Sequence, residues 1–189
     1  PLYAWFFHSL GIETLLSQDI PHEGVARVES TYCFPAEIAH GAVQDLINRK
    51  ADYLFLPHFR DMESYERDVH ANFCPITQGL PYYIKKAFPE IGEERILPLV
   101  VSFKFGKAKA REYFIEFGRR LGFSEEEAGK AFEAALEKQE EYSLKASEMG
   151  REALALARKE NLPVIALLGR PYNAFTKDAN MGIPRKFTS

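Results

Sequence analysis

Hydrophobic positions fall into two alternating patterns along the chain: short, near-continuous apolar runs, and longer stretches that repeat every three or four residues. Leu2 to Leu10 reads as a helix closed by Gly11, because glycine accepts the left-handed conformation of a helix end. Ile12 to Leu16 reads as a short strand, Pro21 to Gly24 as a turn and Val25 to Glu29 as a second extended stretch. Pro35 to Arg49 places Ile38, Ala39, Ala42, Leu46 and Ile47 on one helical face. Tyr53 to Phe59 is a nearly unbroken apolar run, the pattern of a strand buried on both faces.

A charged loop, Arg60 to Phe73, leads into a helix over Pro75 to Phe88 that Gly79 and Pro81 threaten to split. Ile96 to Phe103 is the next buried strand, and Lys107 to Leu121 an amphipathic helix ended by Gly122. Ser124, with Glu127 three positions on, announces a capping box and a helix running to Asn161, where Pro163 stops it. Its glutamates form either the wet face of a packed helix or a solvated coiled-coil arm. Val164 to Leu168 reads as a strand entering Gly169-Arg170-Pro171-Tyr172-Asn173.

Strands alternating with helices predict parallel βαβ units. The expected fold is α/β, a three-layer parallel sheet of the Rossmann or flavodoxin-like kind flanked by helices, with a long helical segment. Residues 1–104 form the α/β domain with the cysteine-bearing loops, and 105–161 the helical segment. Residues 162–189 bring a returning strand and the Gly-Arg-Pro-Tyr loop, the start of a second, truncated α/β unit. Both ends look cut, so the chain reads as a fragment of a longer polypeptide.

Composition narrows this picture only a little. Of 189 residues, 46% are hydrophobic, enough for a real core. A net charge of −3 with scattered lysines and arginines gives no basic stripe for nucleic acid. The most apolar run, Ile96 to Phe103, is too short to span a bilayer, and the start lacks the basic region and cleavage site of a signal peptide. Two cysteines do not make a disulfide scaffold, and a reducing cytoplasm is the expected compartment.

Ligands of open parallel sheets bind beyond the carboxyl ends of the strands. Four loops are expected there: Ser30 to Phe34, Arg60 to Cys74, Lys104 to Gly106 and Gly169 to Pro184. The first two carry Cys33 and Cys74, each followed closely by proline at a predicted helix start. The positive potential and free N–H groups of a helix start stabilise a thiolate, the form that binds metal or attacks a substrate. Two buried structural cysteines are the plainer alternative. His58 and His70 are positioned to join them at a zinc ion, whereas His40 sits inside a helix and packs or caps, and His8 and His22 have no evident partners. Arg170 is suited to a carboxylate or phosphate, with Gly169, Tyr172, Asn173 and Asn180 beside it, or else to a structural pairing with an acidic helix. No nucleotide-binding glycine fingerprint is present.

The blocks Ser30 to Gly41, Asp52 to Pro57, Asn72 to Pro75 and Leu168 to Asn173, followed by Asn180 and Gly182-Ile183-Pro184, resemble one family across nearly the whole chain. It is the uncharacterised domain associated with CoA-enzyme activases, related to the iron–sulfur subunits of 2-hydroxyacyl-CoA dehydratases. The resemblance implies an electron-transfer or dehydratase-like component of anaerobic metabolism, with Cys33 and Cys74 as ligands of a 4Fe–4S cluster. It implies an ATP-dependent activase domain or subunit as partner. Two cysteines are fewer than such a cluster normally takes, so the others come from beyond Ser189 or from a homodimer sharing the cluster. The alternatives are a non-catalytic α/β binding or docking module of a larger activase assembly, and a zinc-binding enzyme.

Overall fold

The computed structural model describes residues 1–30, 33–64, 69, 71–174 and 176–188. The chain divides into two compact units, Pro1–Thr14 with Phe114–Leu168, and Leu15–Tyr113 with Gly169–Ser189.

The second of these units is built on one βαβ element. Strand β1 (Leu54–Asp61) and strand β2 (Ile96–Ser102) run parallel, in register from Leu54 opposite Ile96 to Phe59 opposite Val101. Between them lies helix α4 (Pro75–Ala87). Helix α3 (Phe34–Asn48) and α4 supply Val43, Ile84 and, just past α4, Phe88 to a core completed by Leu54, Leu56, Ile91 and Ile96. Ile84 and Phe88 are wholly buried, and together such side chains contribute about 1.5–3 kcal/mol each. Helix α4 passes through Gly79 and Pro81 without a break; the packing of Ile84 holds it on the sheet despite the missing N–H. Arg95 donates to the carbonyls of Ala51 (2.6 Å) and Asp52 (2.9 Å), which fixes the entry to β1.

Strand β1 is buried on one face, through Leu54, Leu56 and His58, and only half-buried on the other. The expected burial on both faces is therefore corrected; the fold is mixed α/β as expected, with a parallel sheet that has two strands among the described residues. Ile12 to Leu16 is not a strand. Leu16 is 71% exposed, and the segment is tied to α3 by side chains instead of a ladder. Arg49 donates to the Leu16 carbonyl (2.6 Å), and the Gln18 N–H donates to Asp45 (2.9 Å). Val25 to Glu29 is not extended either; Val25 ends the short helix α2 (His22–Val25), which crosses α3 at Gly24 and Gly41.

The other unit is helical. Helix α1 (Leu2–Ser9), the part of α5 (Gly106–Arg120) from Phe114 onward, and α6 (Glu125–Lys159) share an aromatic core. Phe6 packs edge-on against Phe114 at 5.0 Å, and Phe114 lies 4.8 Å from Phe132. Gly118 allows α5 to approach Ala128 so closely that a Cβ there would stand 2.5 Å from the alanine methyl. The capping box forms as expected: Ser124 Oγ accepts from Glu127 N (3.2 Å), and Ser124 N donates to Glu127 (2.8 Å). Beyond Gln139, α6 is exposed almost all round, with Tyr142, Leu144, Met149, Leu154 and Leu156 at the surface. Val164 to Leu168, expected as a strand, has no regular structure; Leu168 is 95% exposed, and no strand pairs with the run among the described residues. No helix of the described residues is long and apolar enough to cross a membrane.

Candidate functional site

Cys33 is the N-cap of α3, with Pro35 just inside the helix, and Cys74 is the N-cap of α4, with Pro75 at its first position. Proline suits the first turn, where its absent N–H would have had no intrahelical partner. Both thiols are free and half-buried.

The start of α4 is fastened from several sides. Phe73 N donates to the Arg60 carbonyl (2.9 Å), and the Phe73 ring packs on Phe59 at 4.5 Å. Gln78 Nε2 donates back to the Phe73 carbonyl (2.8 Å), bridging Cys74. The Gln78 carbonyl accepts from His58 Nδ1 (2.9 Å), which links this first turn to the buried face of β1. His58 is 8% exposed and lies edge-on to Tyr82. The two-residue period of β1 puts His58 on the face of Leu54 and Leu56; that signal is present in the sequence, though it points to packing and not to a metal.

At the carboxyl end of β1, buried Asp61 accepts from Ser102 Oγ and from Lys104 N (3.3 Å). Sequence reading did not single out this carboxylate. It ties the ends of the two parallel strands together beside the loop that leads to Cys74.

The guanidinium of Arg170 lies against the Cys74 thiol. The sulfur makes no formal capping hydrogen bond, yet the peptide N–H groups around it act on its charge. The Thr77 N–H does most to hold the thiol below its ordinary value; burial opposes it next, and the Ile76 N–H and Arg170 add smaller lowering effects. Arg170 is itself steadied by donating to Tyr172 Oη (2.8 Å). The structure thus brings together three residues separated along the chain: Cys74, Arg170 and Tyr172. Asn180 serves its own turn, accepting from Gly182 N (2.8 Å), and Asn173 N bonds the Arg170 carbonyl (2.9 Å). Gly169 is exposed just before the short helix α7 (Pro171–Ala174).

Among the described residues, no three His, Cys, Asp or Glu side chains are grouped to hold a metal ion. Of the histidines expected for zinc, His58 is bound to a backbone carbonyl, and His70 lies outside the described residues. His40 is buried as expected, its Nδ1 on the Ala36 carbonyl at 2.7 Å.

A family model described as the CoA enzyme activase uncharacterised domain matches residues 1–189. The chain belongs to that family. No curated protein and no solved structure matches it. Membership in the activase-associated family agrees with the resemblance carried by the Cys-Phe-Pro and Gly-Arg-Pro-Tyr blocks, and the structure brings Cys74 and Arg170 into contact within it.

Proposed function

We propose that the chain is an iron–sulfur electron-transfer or dehydratase-like component of the 2-hydroxyacyl-CoA dehydratase and activase type, with Cys33 and Cys74 as thiolate ligands of a 4Fe–4S cluster. The observation that carries this reading is the Cys74 thiol at the start of α4, flanked by the N–H groups of Thr77 and Ile76 and by Arg170. Donor type fits the group, because iron–sulfur clusters are held by cysteine thiolates. Donor count is two in these 189 residues, so the remaining ligands come from beyond Ser189 or from a homodimer that shares the cluster.

A bound cluster would supply one-electron transfer at low potential. The protein's own contribution is positional and electrostatic. His58 and Gln78 fix the first turn of α4, so the Cys74 sulfur keeps one direction. Arg170 and the peptide N–H groups favour its charged form. Tyr172 and Asn180 brace the loop that carries Arg170, and with Gly169 and Asn173 that loop would hold a negatively charged ligand group. The cytoplasm is the matching compartment, because it keeps both thiols reduced.

Anaerobic reconstitution followed by iron and sulfide analysis and electron paramagnetic resonance tests the reading. The wild-type chain with its activase partner is expected to hold iron and sulfide, with Cys33→Ala and Cys74→Ala each lowering both. A protein that stays colourless and iron-free, alone and with the partner, overturns it. The exposed apolar residues of α6 favour a second reading, a non-catalytic docking module. It expects the two alanine variants to lose modest stability and no redox property.

A further inference from the structure

Helix α6 carries one apolar stripe that is covered over its first half and bare over its second. Ala128, Phe132 and Ala135 are buried, Phe132 against Phe114 of α5 and Ala128 against Gly118. Leu2 N donates to Gln139 Oε1 (3.3 Å), so the start of α1 lies one turn further along the same stripe. Beyond Gln139 the spacing of three and four continues without a break through Tyr142, Ala146, Met149, Ala153 and Leu156. A straight helix drifts only about 20° per seven residues, so these five side chains stay on the side that α1 covers earlier. Tyr142 is 59% exposed, Met149 61% and Leu156 56%.

The order of side chains along the stripe fits one kind of partner. Tyr142, Met149 and Leu156 occupy one of the two alternating positions of a seven-residue repeat, and Ala146 and Ala153 occupy the other. When two such helices run antiparallel, each position of one kind meets the other kind, so large side chains lie over alanines and the contact is filled. Run parallel, they would set large on large and alanine on alanine. Charge points the same way. Glu133, Glu137, Glu140 and Glu141 outnumber Lys138 at one end of this stretch, and Arg151, Arg158 and Lys159 outnumber Glu152 at the other. A helix acidic at one end and basic at the other complements a second copy of itself only when the copy is reversed.

We propose that α6 pairs with α6 of a second copy of this chain, antiparallel, over Tyr142 to Leu156, about a twofold axis near Met149. The contact is about 20 Å long, so the dimer is small and comes apart on dilution. It uses neither cysteine and does not rest on the cluster reading, so it is tested on iron-free protein, and its failure leaves that reading untouched.

Sedimentation velocity of the chain from about 1 to 300 μM is expected to show a monomer passing into a dimer. Met149→Glu places two like charges at the axis and is expected to raise the dissociation constant at least about a hundredfold. Arg158→Glu with Lys159→Glu, and separately Glu140→Lys with Glu141→Lys, are each expected to weaken the dimer about tenfold, and mixing the two variants is expected to restore it. Nitroxide labels at Ser147→Cys or Lys130→Cys, in a Cys33→Ser, Cys74→Ser background, read the direction. The helix rise puts the two Lys130 positions about 55 Å apart and the two Ser147 positions within about 30 Å, whereas a parallel pair gives both sites the same spacing. The proposal is overturned if the chain stays a monomer throughout, which would leave the stripe to a different protein. It is equally overturned if Met149→Glu dimerises like the wild type, or if the two label distances are equal. Should Met149→Glu fail to fold, the label distances and the charge-reversed mixture decide the matter alone.

Discussion

The crossing of α2 over α3 sets up a comparison of two identical substitutions with opposite outcomes. At Gly24 an added Cβ would stand 2.5 Å from Gln44 Cβ, 2.7 Å from the His40 carbonyl oxygen and 2.9 Å from Gly41 Cα. All three atoms belong to α3, and two are backbone, so no side-chain rotation relieves them. Ordinary contact needs 3.4 Å or more, so Gly24→Ala must drive the helices apart by roughly 1 Å, an overpacking that costs about 1–3 kcal/mol. Because two of the clashing atoms are backbone, the cost lies in the upper part of that range, about 2–3 kcal/mol, and the intrinsic helix preference of alanine returns about 1 kcal/mol, leaving a net loss of about 1–2 kcal/mol. Gly150, in the exposed part of α6, has nothing within 4 Å of its would-be Cβ, so Gly150→Ala should stabilise by about 0.5–1 kcal/mol. Urea unfolding followed by circular dichroism measures both, with the midpoint falling in the first variant and rising in the second. A neutral or stabilised Gly24→Ala, or two midpoints that move the same way, would refute the packing argument.

Three other outcomes follow from single residues. In a Cys33→Ser background, alkylation of Cys74 by iodoacetamide should reach half its maximal rate at a pH below the ordinary thiol value of 9.0, and Arg170→Met should raise that pH; an unchanged profile removes the Arg170 contact. Burial pushes the Tyr3 hydroxyl well above its ordinary 10.0, so the folded state resists its ionisation; the stabilisation is present below pH 10.0 and is lost as pH rises above it, and Tyr3→Phe should flatten that decline in a pH series of unfolding midpoints. Ser124→Ala removes the capping box of α6 and should cost about 1 kcal/mol by thermal unfolding, with a loss below a few tenths counting against the cap.

Periodicity carried most of the local structure. The three-and-four spacing located α3, the amphipathic run closed by Gly122 located α5, and the Ser124–Glu127 pair marked the start of α6 to the residue. Both strands of the βαβ unit were visible as apolar runs, since each has core contacts on at least one face. Ile12 to Leu16 and Val164 to Leu168 show where that signal stops. A strand exists only when another strand completes its ladder, and neither segment has one among the described residues. The cysteine contexts were local and therefore legible: both thiols stand at helix N-caps. The approach of Arg170 to Cys74, the His58–Gln78 link and the Asp61–Ser102 clamp were not, because each joins residues whose separation only the tertiary fold removes.

The division of the chain also bears on how it emerges from a ribosome. Helix α1 belongs with Phe114–Leu168, but Leu15–Tyr113 is synthesised between them. At roughly 5–20 residues per second, Leu2, Phe6 and Phe7 wait on the order of 5–20 s before Phe114 and Phe132 are available to cover them. During that interval the nascent chain presents an apolar, aromatic helix beside a βαβ element that can already close. Chaperone occupancy of the first ten residues should therefore peak while the βαβ segment is translated and fall once α6 has left the exit tunnel.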